Sequence, residues 1–417
     1  MRIAYLVSSF PSLSETFVLN QLTGLIDRGH EVDVLAQRRG ECLEHPDLKR
    51  YGLTRRVTYP PVLPTGRVLR IAKAGGLVLR SGWRRPGAVR RALELRRYPA
   101  VGPSLRLLYN VAALIPGRRY DAIHCHFGPN GILAAALREV GVLDGPIVTT
   151  FHAYDLTKYV RKWGRGLYEH LFAVGDLFLT ISEHWRGRLV ELECPPERIR
   201  LHHMGVRCDG GERPATSAEP GRPVRLLGVG RFVEKKGFAD AVRAVGTLRK
   251  RGIAVTLDLI GEGPLGREIE ALRERLGLVE CVRLLGPKSQ VEVAAALRDS
   301  DILVSPSVTA ADGDQEGIPV VLMEAMAAGL PVVSTRHSGI PELVADGRSG
   351  YLVAEHDVQG LADKLAVLIA DPEQRRAMGQ TGAEIVAAEF NIETLNAQLE
   401  GILRTCAAHA PRGVLRR

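Results

Sequence analysis

A chain of 417 residues, 45% hydrophobic and 25% charged, is long enough for two soluble globular domains. No apolar run approaches a membrane span, and the six cysteines (Cys42, Cys125, Cys194, Cys208, Cys281, Cys406) form no CxxC pair, which argues against a zinc site or a disulfide framework. The net charge of +9 is concentrated, because residues 65–120 carry thirteen Lys or Arg against one acid, Glu94.

Residues 2–8 read as a buried strand. The apolar run is too short for a signal peptide and no small-residue cleavage site follows, so a cytoplasmic protein is expected. Residues 15–28 carry Phe17, Leu19, Leu22, Leu25 and Ile26 at helical spacing and stop at Gly29; a strand follows at 32–35. Basic and apolar residues then alternate, as in Val68-Leu69-Arg70-Ile71-Ala72-Lys73 and again from Leu77 to Arg85. A basic amphipathic helix of this kind suits an anionic membrane surface, where each cation contributes about 1 kcal/mol. The plain alternative is a solvated basic face; a nucleic-acid face lacks any accompanying motif. Strands are predicted at 122–125, 147–150 and 177–181. Residues 208–223, CDGGERPATSAEPGRP, have little to bury and read as a linker.

The pattern then restarts. Strands are predicted at 224–229, 255–260, 282–285, 302–305, 332–334 and 351–353, with helices at 238–251, 266–276, 291–298 and 319–328. Short apolar strands alternating with helices predict an α/β fold of two doubly wound, Rossmann-like domains with a cleft between them. The expected boundaries are 1–207, the linker 208–223, 224–385, and a helical tail 386–417 packing back on the first domain.

The most informative run is Asp314-Gln315-Glu316-Gly317-Ile318-Pro319-Val320-Val321-Leu322-Met323-Glu324, continuing to Gly329 and Pro331. Glu316 and Gly317 fall in a loop after a strand. Pro319 suits the first helical position, which leaves the amides of Val320, Val321 and Leu322 to point out of the helix start as an anion site. Glu316 and Glu324 bracket that site as hydrogen-bond acceptors for sugar hydroxyls. A second run, Gly228-Val229-Gly230-Arg231 to Lys236-Gly237, lets the backbone approach a ligand at Gly230 and brings Arg231 and Lys236 to one diphosphate, each such group being worth about 2.7–4 kcal/mol in comparable oxyanion sites. Lys235 reads as an exposed loop charge. Gly261-Glu262-Gly263-Pro264 and Leu285-Gly286-Pro287-Lys288 are turns after further strands. In the first half, Ser14 suits a helix N-cap, and His124-Cys125-His126 and Thr150-Phe151-His152-Ala153-Tyr154-Asp155 each follow a strand. His124 and His126 lack a third ligand, so no metal is expected.

The spacing Glu316-x7-Glu324 followed by Ala-Met-Ala-Ala-Gly-Leu-Pro-Val-Val resembles the signature of glycosyltransferase family 4, the GT-B retaining transferases. The likeness covers most of the chain and is densest over residues 224–351. It implies that Glu316 contacts the transferred hexose, Glu324 the ribose, and Arg231 and Lys236 the diphosphate. It implies donor contacts at Gly317, Ile318, Val320, Val321, Gly230, Glu262 and Gly286. His152 then lies near sugar and acceptor, ahead of His126, and Ser14 and Thr16 are loop candidates. The Ser14-Glu15-Thr16-Phe17 string stands where the family often has glycines and resembles the bacterial exopolysaccharide, colanic-acid-type subgroup. Arg207 stands where an Asp or Asn is common.

The resemblance implies a nucleotide-diphosphate sugar, UDP- or GDP-linked, as donor substrate, no cofactor and no metal. It also implies a saccharide acceptor, retention by front-face attack, and no side-chain nucleophile. The basic segment and the exopolysaccharide-like string motivate a lipid-linked acceptor and peripheral placement on the inner face of the cytoplasmic membrane; no nucleic acid is expected. Two rivals differ in readout. A nucleotide-sugar epimerase would change its donor without an acceptor. A non-catalytic membrane scaffold would tolerate loss of Glu316, Glu324, Arg231 and Lys236.

Overall fold

The computed structural model describes residues 1–12, 16–40, 46–95, 97–98, 100–115, 117–208 and 222–409. Ser14, Cys42, most of the expected linker and the last eight residues lie outside them. The chain forms two compact units. One comprises the described residues of 1–181, 186–202 and 396–417, the other those of 182–185 and 203–395.

The first unit holds strands β1 (Arg2–Phe10), β2 (Glu31–Arg39), β3 (Val57–Thr58), β4 (Arg118–Arg119), β5 (Ala122–His126), β6 (Leu143–Asp144), β7 (Ile147–Phe151), β8 (Leu177–Thr180) and β9 (Ile199–Leu201). Its parallel sheet runs β3-β2-β1-β5-β7-β8-β9, with β4 and β6 as a separate pair. Strands β5 and β7 are buried along their whole length, as central strands of a parallel sheet should be. Order reverses between β1 and β5, where Tyr5 lies opposite His124. In doubly wound sheets ligands gather beyond the carboxyl ends of the strands at such a switch point.

The second unit holds β10 (Val224–Val229), β11 (Val255–Ile260), β12 (Val282–Leu284), β13 (Ile302–Ser305), β14 (Val332–Thr335) and β15 (Gly350–Val353), in the parallel order β12-β11-β10-β13-β14-β15. Its switch point falls between β10 and β13. The helix Phe238–Lys250 buries Phe238, Ala241, Val242, Val245 and Leu248 at helical spacing. They meet Leu226, Leu257, Val304 and Leu365 in one core.

Between β2 and β5, where the sequence predicts a basic amphipathic helix, the chain forms helices Arg67–Ser81, Pro86–Ala92 and Arg106–Leu114. The last helix, Ile392–His409, returns to the first unit from Asn396 onward. There Asn396, Leu399 and Leu403 are buried, and Glu400 pairs with Arg28 at 2.8 Å.

Candidate active site

In the second unit the loops after β10, β11 and β12 lie side by side because glycines let main chains touch. Gly230 donates to the Ile260 carbonyl at 2.9 Å, Phe232 to Glu262 at 2.8 Å, and Gly261 to Gly286 at 2.9 Å. Gly261 has φ +137, and a Cβ there would fall 2.0 Å from the Gly230 carbonyl oxygen. Gly230 also leaves room for the Lys236 stem, whose Cε would be 3.1 Å from a Cβ at that position. Arg231 and the side chain of Glu262 are exposed beside them.

Across the switch point, the loop after β13 carries Glu316, which is buried. Lys236 Nζ lies 2.9 Å from Glu316 Oε2 and Lys235 Nζ 3.3 Å from Oε1. Burial alone would push this carboxyl up; Lys236 and Lys235 outweigh it and hold it down at about 2. Glu316 is therefore ionised at neutral pH and can only accept hydrogen bonds. Lys235 is not the exposed loop charge expected from sequence. Its ammonium also meets Asp314 Oδ1 and the Gln315 carbonyl, both at 3.2 Å, and so ties down the loop that carries Glu316.

A second tie comes from the far side. The Glu316 amide donates to His337 Nε2 at 3.0 Å, and His337 Nδ1 lies 2.6 Å from Glu355 Oε1. A main-chain N–H can only donate, so Nε2 accepts and the ring proton sits on Nδ1, facing the carboxylate. Glu355 also accepts from the Thr309 amide at 2.7 Å. The Ser338 hydroxyl reaches the Glu316 carbonyl at 2.7 Å. Neither His337 nor Glu355 was found by sequence reading. The signal is one of register. Thr335 pairs with Val353, so residues two beyond each strand end meet, although eighteen positions apart in sequence.

The helix after Glu316 is Val320–Ala327, and Pro319 occupies its N-cap with ψ 124 rather than its first helical position. This corrects the expected anion site. The Leu322 amide donates to the Pro319 carbonyl at 3.0 Å, which leaves Val320 and Val321 as the helix-start donors. Gly317 and the buried Ile318 complete the turn, and Gly329 ends the helix with φ 70. Glu324 lies half-buried on the helix. Burial raises its carboxyl, and no cation opposes the shift.

In the first unit, His126 and His152 are in contact, with Nδ1 of the former 3.2 Å from Nε2 of the latter. Phe17 and Phe127 pack on His152 at 5.0 and 4.4 Å. Burial, with a smaller contribution from His124, brings His152 down to about 3, so it is neutral at pH 7 and acts as a hydrogen-bonding group. The loop that carries it is held by Asp155, which accepts from the His152 amide at 3.0 Å and the Gly128 amide at 2.8 Å. Burial pushes Asp155 up to about 7 against those bonds. Thr16 opens the helix Thr16–Asp27. Among the described residues no group of three or more His, Cys, Asp or Glu is arranged to hold a metal.

Two family models account for most of the chain: Glycosyltransferase Family 4 over residues 14–209 and Glycosyl transferases group 1 over residues 212–385. WcaL of Salmonella typhimurium, a glycosyltransferase provisionally assigned to colanic acid biosynthesis, is 40% identical over 408 residues, 97% of this chain and 100% of the relative. The chain belongs to glycosyltransferase family 4. The amylovoran biosynthesis glycosyltransferase AmsK of Erwinia amylovora is 37% identical over 412 residues, 98% of this chain and 100% of that relative. Anabaena HepE in complex with UDP and glucose superposes with TM-score 0.69 at 18% identity, over 97% of this chain and 99% of that one, which shows the shared GT-B fold. Full-length likeness to glycosyltransferases favours transfer over the epimerase reading.

Proposed function

We propose that this glycosyltransferase moves a hexose, with retention, from a UDP- or GDP-linked sugar to a lipid-linked saccharide in exopolysaccharide assembly on the inner face of the cytoplasmic membrane. The observation that carries the reading is the contrasting pair of glutamates at the second unit's switch point. Ionised Glu316, braced by two lysines and a histidine, is suited to accept hydrogen bonds from hexose hydroxyls. Glu324, without a cation, is suited to a neutral partner such as a ribose hydroxyl. The amides of Val320 and Val321, at the positive end of the helix, favour an anion between the two carboxylates. Lys236 and Arg231 supply the charge that stabilises a departing diphosphate. Contacts at Gly317, Ile318, Gly230, Glu262 and Gly286 would shape the donor pocket. His152, backed by His126, serves on the acceptor side as a neutral positioning group. The exopolysaccharide role follows the relatives WcaL and AmsK, whose names state such pathways.

The test is thermal unfolding of the protein with UDP, GDP, dTDP and CDP, each alone. A nucleotide at a hundredfold excess over its Kd adds about 2.7 kcal/mol of stability. One nucleotide should raise the unfolding temperature, and Glu324→Ala should abolish the rise. No shift with any of the four from a folded sample would sink the donor-site reading.

A further inference from the structure

The helix Arg67–Ser81 is amphipathic in an unexpected sense. It packs on the helix Arg106–Leu114 through its Ala74 side, with Leu77 and Val78 half-buried, and the Tyr109 hydroxyl bonds the Arg70 carbonyl at 3.0 Å. Its opposite side should then be polar. Instead Val68 is 84% exposed, Leu69 64%, Ile71 65%, Leu79 83% and, in the turn that follows, Trp83 72%. Val68, Ala72, Gly75, Leu79 and Trp83 recur every three or four residues, so they form one solvent-facing stripe. A Cβ at Gly75 or Gly76 would meet nothing within 4 Å, so nothing in the described fold covers the stripe there.

Cations border it. Arg67, Lys73, Arg80 and Arg84 flank the apolar positions, and Arg84 stacks over the Trp83 ring at 5.1 Å. Lys73 and Arg70 spend their donors on main-chain carbonyls, of Val62 and Pro64 at 2.8 Å each, so their charge is not cancelled by acids. An apolar stripe bordered by these cations fits a surface that is anionic outside and oily beneath. A nucleic acid would use the charge but leave the stripe in water.

We infer that residues 67–84 form a docking face for an anionic lipid bilayer, with Val68, Leu79 and Trp83 entering the acyl boundary and the bordering cations at the headgroups. It rests on the proposed lipid-linked acceptor only for its purpose, since such an acceptor must be drawn from a bilayer. No helix among the described residues is long and apolar enough to cross a membrane, so this contact is superficial.

The experiment is cosedimentation of the full chain with vesicles of phosphatidylcholine alone and with phosphatidylglycerol added. Anionic vesicles should retain the protein and neutral ones should not. Leu79→Glu with Trp83→Glu should lower binding by roughly a hundredfold, about tenfold for each side chain kept in water. Arg80→Gln with Arg84→Gln should weaken it roughly twentyfold or more, at about fivefold per cation. The nucleotide-induced rise in unfolding temperature should be unchanged in both variants, which reports an intact fold. In the wild type, brominated lipid should quench tryptophan emission, and Trp83→Phe should remove that quenching. Absence of binding to anionic vesicles, equal binding to neutral ones, or full binding by the Leu79/Trp83 double variant would overturn the inference; the last outcome would leave a charge-only face such as a nucleic acid uses. A missing nucleotide shift with intact vesicle binding would instead count against the donor site alone.

Discussion

Glu316 and Glu324 are eight positions apart and have opposite electrostatic surroundings. Two lysines hold Glu316 at about 2, whereas burial without a cation raises Glu324. A carboxyl depressed in the folded state contributes stability that is present above its unfolded pKa and lost as pH falls through its folded one. Glu316 should therefore contribute on the order of a few kcal/mol at neutral pH, lost as pH falls from the ordinary value of 4.5 to about 2. Glu316→Gln should flatten that acid limb in pH-dependent unfolding; an unchanged limb would show that the lysines do not grip the carboxylate. Glu355 acts one step back. Glu355→Ala should leave His337 Nδ1–H and the Thr309 amide without their acceptor, a loss of about 1–3 kcal/mol. Sugar transfer should fall roughly tenfold while the Kd for free nucleotide stays put, because Glu316 is proposed to contact the hexose and not the base or ribose. Glu355→Gln, which keeps an acceptor oxygen, should recover most of that loss. The glutamates of the motif were legible in the sequence because they sit in one continuous run. Lys235, His337 and Glu355 were not, since only the packing of β10, β13, β14 and β15 makes them neighbours.

At the scale of elements, the buried parallel strands announced themselves. Runs such as residues 224–229, apolar but for Arg225, and 302–305 coincide with β10 and β13. The sequence predicts a helix over 319–328 and the chain forms one over Val320–Ala327, one residue shorter at each end, because Pro319 is compatible with either the cap or the first helical position and ψ decides between them. The segment between β2 and β5 was hardest to read. Its helix Arg67–Ser81 turns apolar residues toward solvent, so periodicity gives the helix but not which face is covered. The glycine contacts between βα loops are equally hidden, since a turn glycine and a contact glycine look alike in sequence. Gly261→Ala checks the contact directly. Its Cβ would overlap the Gly230 carbonyl at a φ that side chains rarely adopt. The cost should be about 1–3 kcal/mol of stability, with nucleotide affinity falling alongside as the loop bearing Arg231 and Lys236 is displaced. Calorimetry and titration on one sample would read both, and an unaffected Kd would separate this contact from the donor site.

For the whole molecule, two cores imply two unfolding events and no single free energy. Scanning calorimetry should resolve two transitions, of which the preferred nucleotide raises the one belonging to the second unit more strongly. Equal shifts in both would mean the units melt as one. The return of the final helix bears on how the chain is made. Asn396 fits beneath Gly24, where a Cβ would lie 1.9 Å from its amide nitrogen, and Arg28 meets Glu400 across 372 positions of sequence. On the ribosome the first unit emerges first, yet one flank of it stays uncovered until residues 396–409 have emerged. A chain truncated after residue 395 should expose protease sites in the first unit and leave the second protected.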